Sequence, residues 1–193
     1  WEAGLLKADE PARFHTRSGL LTCTRRADWI TMDFPAKPEQ QVAPPEGLAF
    51  ALGVTPRYIG ANQFDYLVEV DTEATVRDLA PDFTRLVKLP VRGVMVTSKA
   101  TTPNFDFVSR FFAPQVGINE DPVTGSAHCC LAPYWSRKLG KQELTAYQAS
   151  ARGGVLKLRL NGERVLISGQ AVTIFQAQLS QLAAAGASQA GAA

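Results

Sequence analysis

Apolar and polar positions along this chain change period several times, and each change marks an element. Over 29–34, Ile30, Met32 and Phe34 alternate with Thr31 and Asp33, which predicts a half-buried strand. Strands are also expected at 13–16 and 20–25, parted by turns at Ser18-Gly19 and near Ala27-Asp28. Residues 1–10 read as the end of a helix running into a loop at Ala8-Asp9-Glu10-Pro11. Prolines 35, 38, 44 and 45 mark a linker. Beyond it the pattern predicts a helix over 46–52 stopped by Gly53, then strands at 58–59 and 66–70 across a turn at Ala61-Asn62. A helix over 72–79 takes Asp71 or Thr72 as N-cap. Pro81 opens another short helix, with Phe83, Leu86, Val87 and Leu89 as its apolar stripe. Strands at 93–97 and 105–112 follow.

After Gly125 the period becomes helical. Ala127, Cys130, Leu131, Tyr134, Trp135 and Leu139 share one broad face, Arg137 and Lys138 fill the last turn, and Gly140 stands where a C′ residue belongs. Pro133 inside this helix should kink or shorten it. Asn161-Gly162 between apolar runs at 155–160 and 163–167 predicts a type I′ hairpin, and a last strand is expected at 171–176. From 179 to 193 the Ala/Gly/Ser/Gln tail has no core-forming pattern and reads as disordered. There is no regular βαβ alternation and no GxGxxG, which disfavours a dinucleotide-binding fold. The expected class is α+β, an antiparallel-rich sheet wrapped round one central helix near 126–139.

Composition narrows the partners. The chain has 193 residues, 46% hydrophobic and 20% charged, with 20 basic against 18 acidic side chains for a net charge of +2. No Lys/Arg run marks a nucleic-acid face, and no segment reaches the roughly 18 consecutive apolar residues of a membrane span. Cys23, Cys129 and Cys130 form a poor disulfide framework, so a cytoplasmic location is expected. His15 and His128 are the two histidines, and no spacing matches a metal site. The opening Trp1-Glu2-Ala3-Gly4 has neither an initiator Met nor a signal pattern, and reads as a chain that begins in the middle of something.

The candidate chemistry lies in Asn119-Glu120-Asp121-Pro122-Val123-Thr124-Gly125-Ser126-Ala127-His128. Two adjacent carboxylates precede a turn at which a helix can begin, and a helix N-terminus binds anions through unpaired N–H groups. Asp121 and Glu120 are therefore acid/base candidates, and Thr124, Gly125 and Ser126 anion-binding candidates. The competing reading is an ordinary capped loop. His128 faces either core or cleft, with a buried structural role expected. Cys129 and Cys130 lie about one turn into the helix, and Cys130 at least is expected in the core. Arg110, inside an apolar strand, needs a partner if buried, either Asp121 or Glu120. Arg152, in Gln148-Ala149-Ser150-Ala151-Arg152-Gly153-Gly154, either meets a substrate carboxylate or lies in a surface turn.

Several of these stretches together resemble a known family. Arg110-Phe111-Phe112-Ala113-Pro114, Gly117-Ile118, the run from Glu120 to His128, and Leu131-Ala132-Pro133-Tyr134-Trp135 look like the PhzF family of phenazine biosynthesis. Gln148, Ser150 and Arg152-Gly153-Gly154 are similar to its later motif, and Phe14, Thr16, Ser18-Gly19 and Leu21 to its mid-chain strand. The resemblance runs from about Phe14 to Phe175. It implies the diaminopimelate-epimerase-like fold, in which two similar halves each curl a sheet round a central helix and the active site lies between them. It also implies isomerisation of a small carboxylate by proton abstraction and redelivery, without a cofactor or a metal, in a homodimer. Related epimerases and racemases use one cysteine from each half. Asp121 stands at the position matching the second of these, so the resemblance assigns it to catalysis, with Gly125 and Ser126 beside it binding substrate.

One expected part does not occur here. The family's general-base glutamate belongs to a Ser-Glu-Thr-Ala-Phe-like motif, followed by a Gly-His-Ala-Thr-like motif. The resemblance thus implies a C-terminal portion, with 1–35 as a remnant of the first half and 36–178 as the complete second half. Two other readings stand beside the isomerase, a catalytically inactive binding or scaffold protein of the same fold and an amino-acid epimerase or racemase. The latter would require a proton-carrying cysteine where Asp121 stands.

Overall fold

The computed structural model describes residues 1–16 and 19–177. Its strands are β1 (Ala12–Thr16), β2 (Gly19–Arg26), β3 (Trp29–Pro35), β4 (Gln40–Gln41), β5 (Tyr58–Ala61), β6 (Asp65–Glu69), β7 (Gly93–Lys99), β8 (Phe107–Phe112), β9 (Glu143–Gln148), β10 (Gly154–Asn161) and β11 (Arg164–Gly169). Helices α1 (Leu48–Leu52), α2 (Glu73–Arg77), α3 (Phe83–Leu86) and α4 (Gly125–Leu139) and a 3-10 turn at Pro114–Val116 complete it. The strands form one open 11-stranded sheet in the order β1-β2-β3-β11-β10-β9-β8-β7-β6-β5-β4. Pairings β6–β7 and β8–β9 are parallel and the other described pairings antiparallel. Among the described residues, no helix is long and apolar enough to cross a membrane.

Period-two alternation in the middle strands feeds two cores. Met95, Phe107 and Phe111 point to one face, where they meet α4 together with Leu144, Leu156, Leu158, Val165 and Ile167. Val94, Val96, Val108 and Phe112 point to the other, where α1 to α3 supply Leu48, Leu52, Val76 and Leu86. Every residue of α4 from Ala127 to Ser136 is buried, so this helix is apolar nearly all round rather than on one face. Burying one large apolar side chain contributes about 1.5–3 kcal/mol, so Trp135, Leu131 and Phe107 anchor the helix strongly.

Pro133 does not break α4. It leaves the carbonyl of Cys129 without its helical donor, and the N–H of Lys37 fills that place at 2.9 Å. The proline-rich linker is therefore threaded against the helix, and its Gln40 and Gln41 add the edge strand β4. At the other end Gly140 (φ 66°) closes α4 as expected, its N–H bonding to the carbonyl of Ser136.

Several sequence expectations are corrected. Residues 1–10 contain turns and bends but no helix. No strand forms over 171–176, where Val172, Ile174 and Phe175 are exposed. The reason is geometric, because β11 already has β3 on one edge and β10 on the other. The β10–β11 hairpin is present, but Asn161 pairs with Arg164, so its central residues are Gly162 and Glu163. Only Gly162 (φ 56°) takes a positive φ, which a type I′ turn would require of both. Strand β9 carries too weak an apolar signal to be read from Thr145, Ala146 and Gln148. All seven residues of β3 are half-buried, in place of the alternation expected there. Ser18 and the tail from 179 lie outside the described residues.

Candidate active site

The loop between β8 and α4 carries the two carboxylates, and the sheet divides them. Arg110 projects from β8 on the α1–α3 face, and its guanidinium takes Glu120 in a fork, Nε to Oε1 at 2.7 Å and Nη2 to Oε2 at 2.9 Å. The same guanidinium donates through Nη1 to the carbonyl of Leu79 at 2.7 Å, just past α2. Glu120 is thus the partner of Arg110, and both are spent on holding the loop to α2. Asp121 goes the other way. Its N–H donates to the carbonyl of Phe111 at 3.0 Å, and its carboxylate reaches the start of α4.

Around Asp121 the loop is fixed by fully buried Gln148 at the end of β9. Gln148 Oε1 accepts the N–H of Thr124 at 2.8 Å, while Nε2 donates to the carbonyl of Asp121 at 2.7 Å and to Thr124 Oγ1 at 3.1 Å. Thr124 Oγ1 in turn donates to Asp121 Oδ2 at 2.6 Å. Ser150 Oγ donates to the carbonyl of Pro122 at 2.8 Å and accepts the N–H of Gly153 at 3.0 Å. The glycine pair that follows permits close packing. A Cβ on Gly153 (φ 71°) would lie 2.2 Å from Tyr147 Oη, and one on Gly154 would lie 2.4 Å from Val123 Cγ2.

Thr124 is the N-cap residue of α4, yet its hydroxyl is given to Asp121 and makes no capping bond. Among the described residues no side chain caps the first-turn N–H groups of α4, which are open to a ligand or water. The space beside Gly125 is open, for a Cβ there would meet only Phe34 Cε2, at 3.9 Å. Exposed Ser126 accepts a hydrogen bond at 3.2 Å from Nη2 of Arg92, leaving its own hydrogen available. Arg92 is itself held by the buried carboxylate of Asp65, with Nε to Oδ1 at 2.9 Å and a second bond from Nη2 to Oδ2, and it lies over the rings of Phe64 and Phe111. This arrangement places a guanidinium beside the positive end of α4. The sequence had not singled out Arg92, since its neighbours Val91 and Gly93 give it no motif. The one available signal was a lone Arg entering an apolar strand.

The other candidates lie outside this group. His128 is fully buried, with Nδ1 2.7 Å from the carbonyl of Thr124 and its ring stacked on Phe107. Nε2 has no partner among the described residues, and burial lowers the imidazole to about 4, so the ring is neutral and structural. Burial pushes the Cys129 thiol up to about 11 and that of Cys130 up to about 12. Neither is a thiolate at neutral pH. Arg152 is exposed and makes no hydrogen bond or ion pair among the described residues, although its loop abuts the Asp121 loop through Ser150. Asp121, Thr124, Gly125 and Ser126 are brought together. Glu120, Arg110, His128 and Arg152 are not part of that group.

Comparison with known proteins identifies the family. The family profile described as phenazine biosynthesis-like protein matches residues 5–177. The chain belongs to this family. An uncharacterized isomerase of Halalkalibacterium halodurans is 51% identical over 180 residues, covering 93% of this chain and 68% of that protein. An uncharacterized isomerase of Pseudomonas aeruginosa is 55% identical over 159 residues, covering 82% of this chain and 60% of its own length. The chain thus spans about two thirds or less of the curated relatives it matches. The crystal structure of a PhzF-family phenazine biosynthesis protein from Enterococcus faecalis superposes with a TM-score of 0.85 at 35% identity, over 92% of this chain and 68% of that one. A predicted epimerase of Pseudomonas aeruginosa, 16% identical with a TM-score of 0.63 over 91% of this chain and 70% of that one, shares the fold. The architecture is therefore that of the PhzF family and of an epimerase-like neighbour, and the two curated relatives named above carry the name isomerase.

Proposed function

We propose that this chain supplies one wall of a cofactor-independent isomerase site, where Asp121 moves a proton on a small carboxylate substrate. The observation that carries the reading is the position of the Asp121 carboxylate, 2.6 Å from the hydroxyl of the N-cap residue of an uncapped, buried helix. The anionic end of the substrate lies over the first turn of α4, against the N–H groups of Gly125 and Ser126 and the Ser126 hydroxyl, with Arg92 adding positive charge. As a carboxylate Asp121 takes a proton from carbon, and in its acid form it returns one. Isomerisation needs only these two steps and a second group across the substrate. That second group, a general base, is assigned to a part of the relatives' length with which this chain does not align. On this reading residues 1–35 belong with that other half, and 36–178 form the wall described above.

The closest competing chemistry, a two-thiol racemase, is disfavoured because Asp121 stands where that chemistry needs a cysteine, while Cys129 and Cys130 are buried in α4. An inactive binding protein of the same fold would keep the anion subsite without turnover. The two are separated by measuring binding and turnover together on small carboxylic acids. Asp121→Asn is expected to leave carboxylate binding within a few-fold and to lower turnover by about 10²–10⁴-fold. Binding with no turnover in the wild-type protein extended to its relatives' length would favour the binding protein.

A further inference from the structure

Gln148 does more than brace the loop, because the direction of each of its hydrogen bonds is fixed. Its side chain is fully buried between two backbone groups of opposite character, the N–H of Thr124 and the carbonyl of Asp121. Turning the amide over would set N–H against N–H and oxygen against oxygen, so Oε1 must face Thr124 N–H and Nε2 must face the carbonyl. The second hydrogen on Nε2 is then directed to Thr124 Oγ1 at 3.1 Å. A hydroxyl that accepts there has one hydrogen left, and the acceptor at 2.6 Å is Asp121 Oδ2. Asp121 Oδ1 makes no hydrogen bond among the described residues, and the residue is half-buried rather than sealed.

We propose that Gln148 and Thr124 form a one-way hydrogen-bond chain that locks the Thr124 hydroxyl as a donor to Asp121 Oδ2 and leaves Oδ1 as the oxygen that exchanges protons with the ligand. Gln148 and Thr124 are positioning residues in this scheme. Oδ2 is held in the acceptor role, since a proton on it would face the hydroxyl hydrogen of Thr124. The proton therefore travels on Oδ1, on one side of the carboxyl plane, and delivery has a fixed direction.

The proposal rests on the isomerase reading for its use of Asp121, but its test does not need turnover. The Thr124 hydroxyl proton is followed by NMR at a single neutral pH, through its exchange with solvent and its coupling to the Asp121 side-chain carboxyl carbon, in the wild-type protein and three variants. Thr124→Val keeps the shape of the side chain and removes the hydroxyl, so the resonance assigned to that proton should vanish. Thr124→Ser restores the hydroxyl and is expected to keep a protected proton coupled to the same carbon. Gln148→Glu, as a carboxylate, preserves the acceptor for Thr124 N–H but removes both donors, freeing the hydroxyl to turn away, and is expected to lose the coupling and about 10-fold of the exchange protection. A wild-type hydroxyl proton without coupling to Asp121, or the same coupling and protection in Gln148→Glu, would overturn the chain. The coupling and its loss in Gln148→Glu, seen in a protein without turnover, would uphold it while counting against the isomerase reading.

Discussion

Burial assigns different work to the ionisable side chains flanking the first turn of α4. Asp121 is half-buried and reaches the open end of the helix, whereas His128 is sealed within the core. The imidazole has its midpoint lowered from 6.5 to about 4, chiefly by desolvation, with the Thr124 carbonyl bond opposing that fall. The unfolded chain therefore takes up the proton first as pH drops. Stability tied to neutral His128 is fully present above about pH 6.5 and is lost as pH falls toward 4, by up to about 3 kcal/mol. His128→Gln keeps a donor for Thr124 but cannot titrate, so urea unfolding at pH 4.5 and 7.5 should differ less in the variant by that amount. An equal acid loss in both proteins would contradict the assignment. The sequence left His128 between core and cleft because its neighbours Ala127 and Cys129 suit either face. What settles it is burial all round α4, a tertiary property.

Larger pieces are joined by charged side chains that the sequence showed without their partners. Arg110 links β8, the carbonyl after α2 and the loop bearing Glu120, with its side chain only 12% exposed. Arg110→Gln removes the fork and leaves Glu120 partly buried without its cation, which is expected to cost about 2–3 kcal/mol in chemical denaturation. A loss below about 0.5 kcal/mol would show that the pair is solvated in practice. Glu73 makes a comparable junction. Burial alone would raise its carboxyl, but hydrogen bonds from Thr102 and Thr101 together with Arg77 outweigh that and hold it well below the usual carboxylate range. In this way α2 is tied to the turn between β7 and β8. Helices α1 to α3, the Gly140 stop and most strands were legible because caps, stop residues and periodicity are local. The role of Pro133 was not, since the N–H that satisfies Cys129 comes from Lys37, far away in sequence.

Across the whole molecule, β1 to β3 are stitched into the same sheet as the rest, with β3 paired to β11 from Ile30–Gly169 to Pro35–Arg164. Removing residues 1–35 would bare the edge of β11, whose Val165 and Ile167 belong to the core around α4. Such a chain is expected to aggregate or lose cooperative unfolding, while removal of 1–10 alone should be tolerated. A monodisperse, cooperatively folding 36–193 chain would show that the β3–β11 pairing is dispensable. The sequence pattern gave no sign of this pairing, because strand order is set by contacts between segments more than a hundred residues apart. The family motif was legible, since Asp121 to Ser126 form one contiguous stretch, but Arg92 and the donor directions at Gln148 become visible only in three dimensions. The central claim is that Asp121 exchanges a proton with a substrate carbon. It is tested most directly by incubating the protein, extended to the length of its isomerase relatives, with small carboxylic acids in D₂O and following C–H to C–D conversion by NMR. Deuterium should enter at the carbon that changes configuration or bonding, at a rate lowered about 10²–10⁴-fold by Asp121→Asn. Exchange that proceeds equally fast in Asp121→Asn would contradict the account.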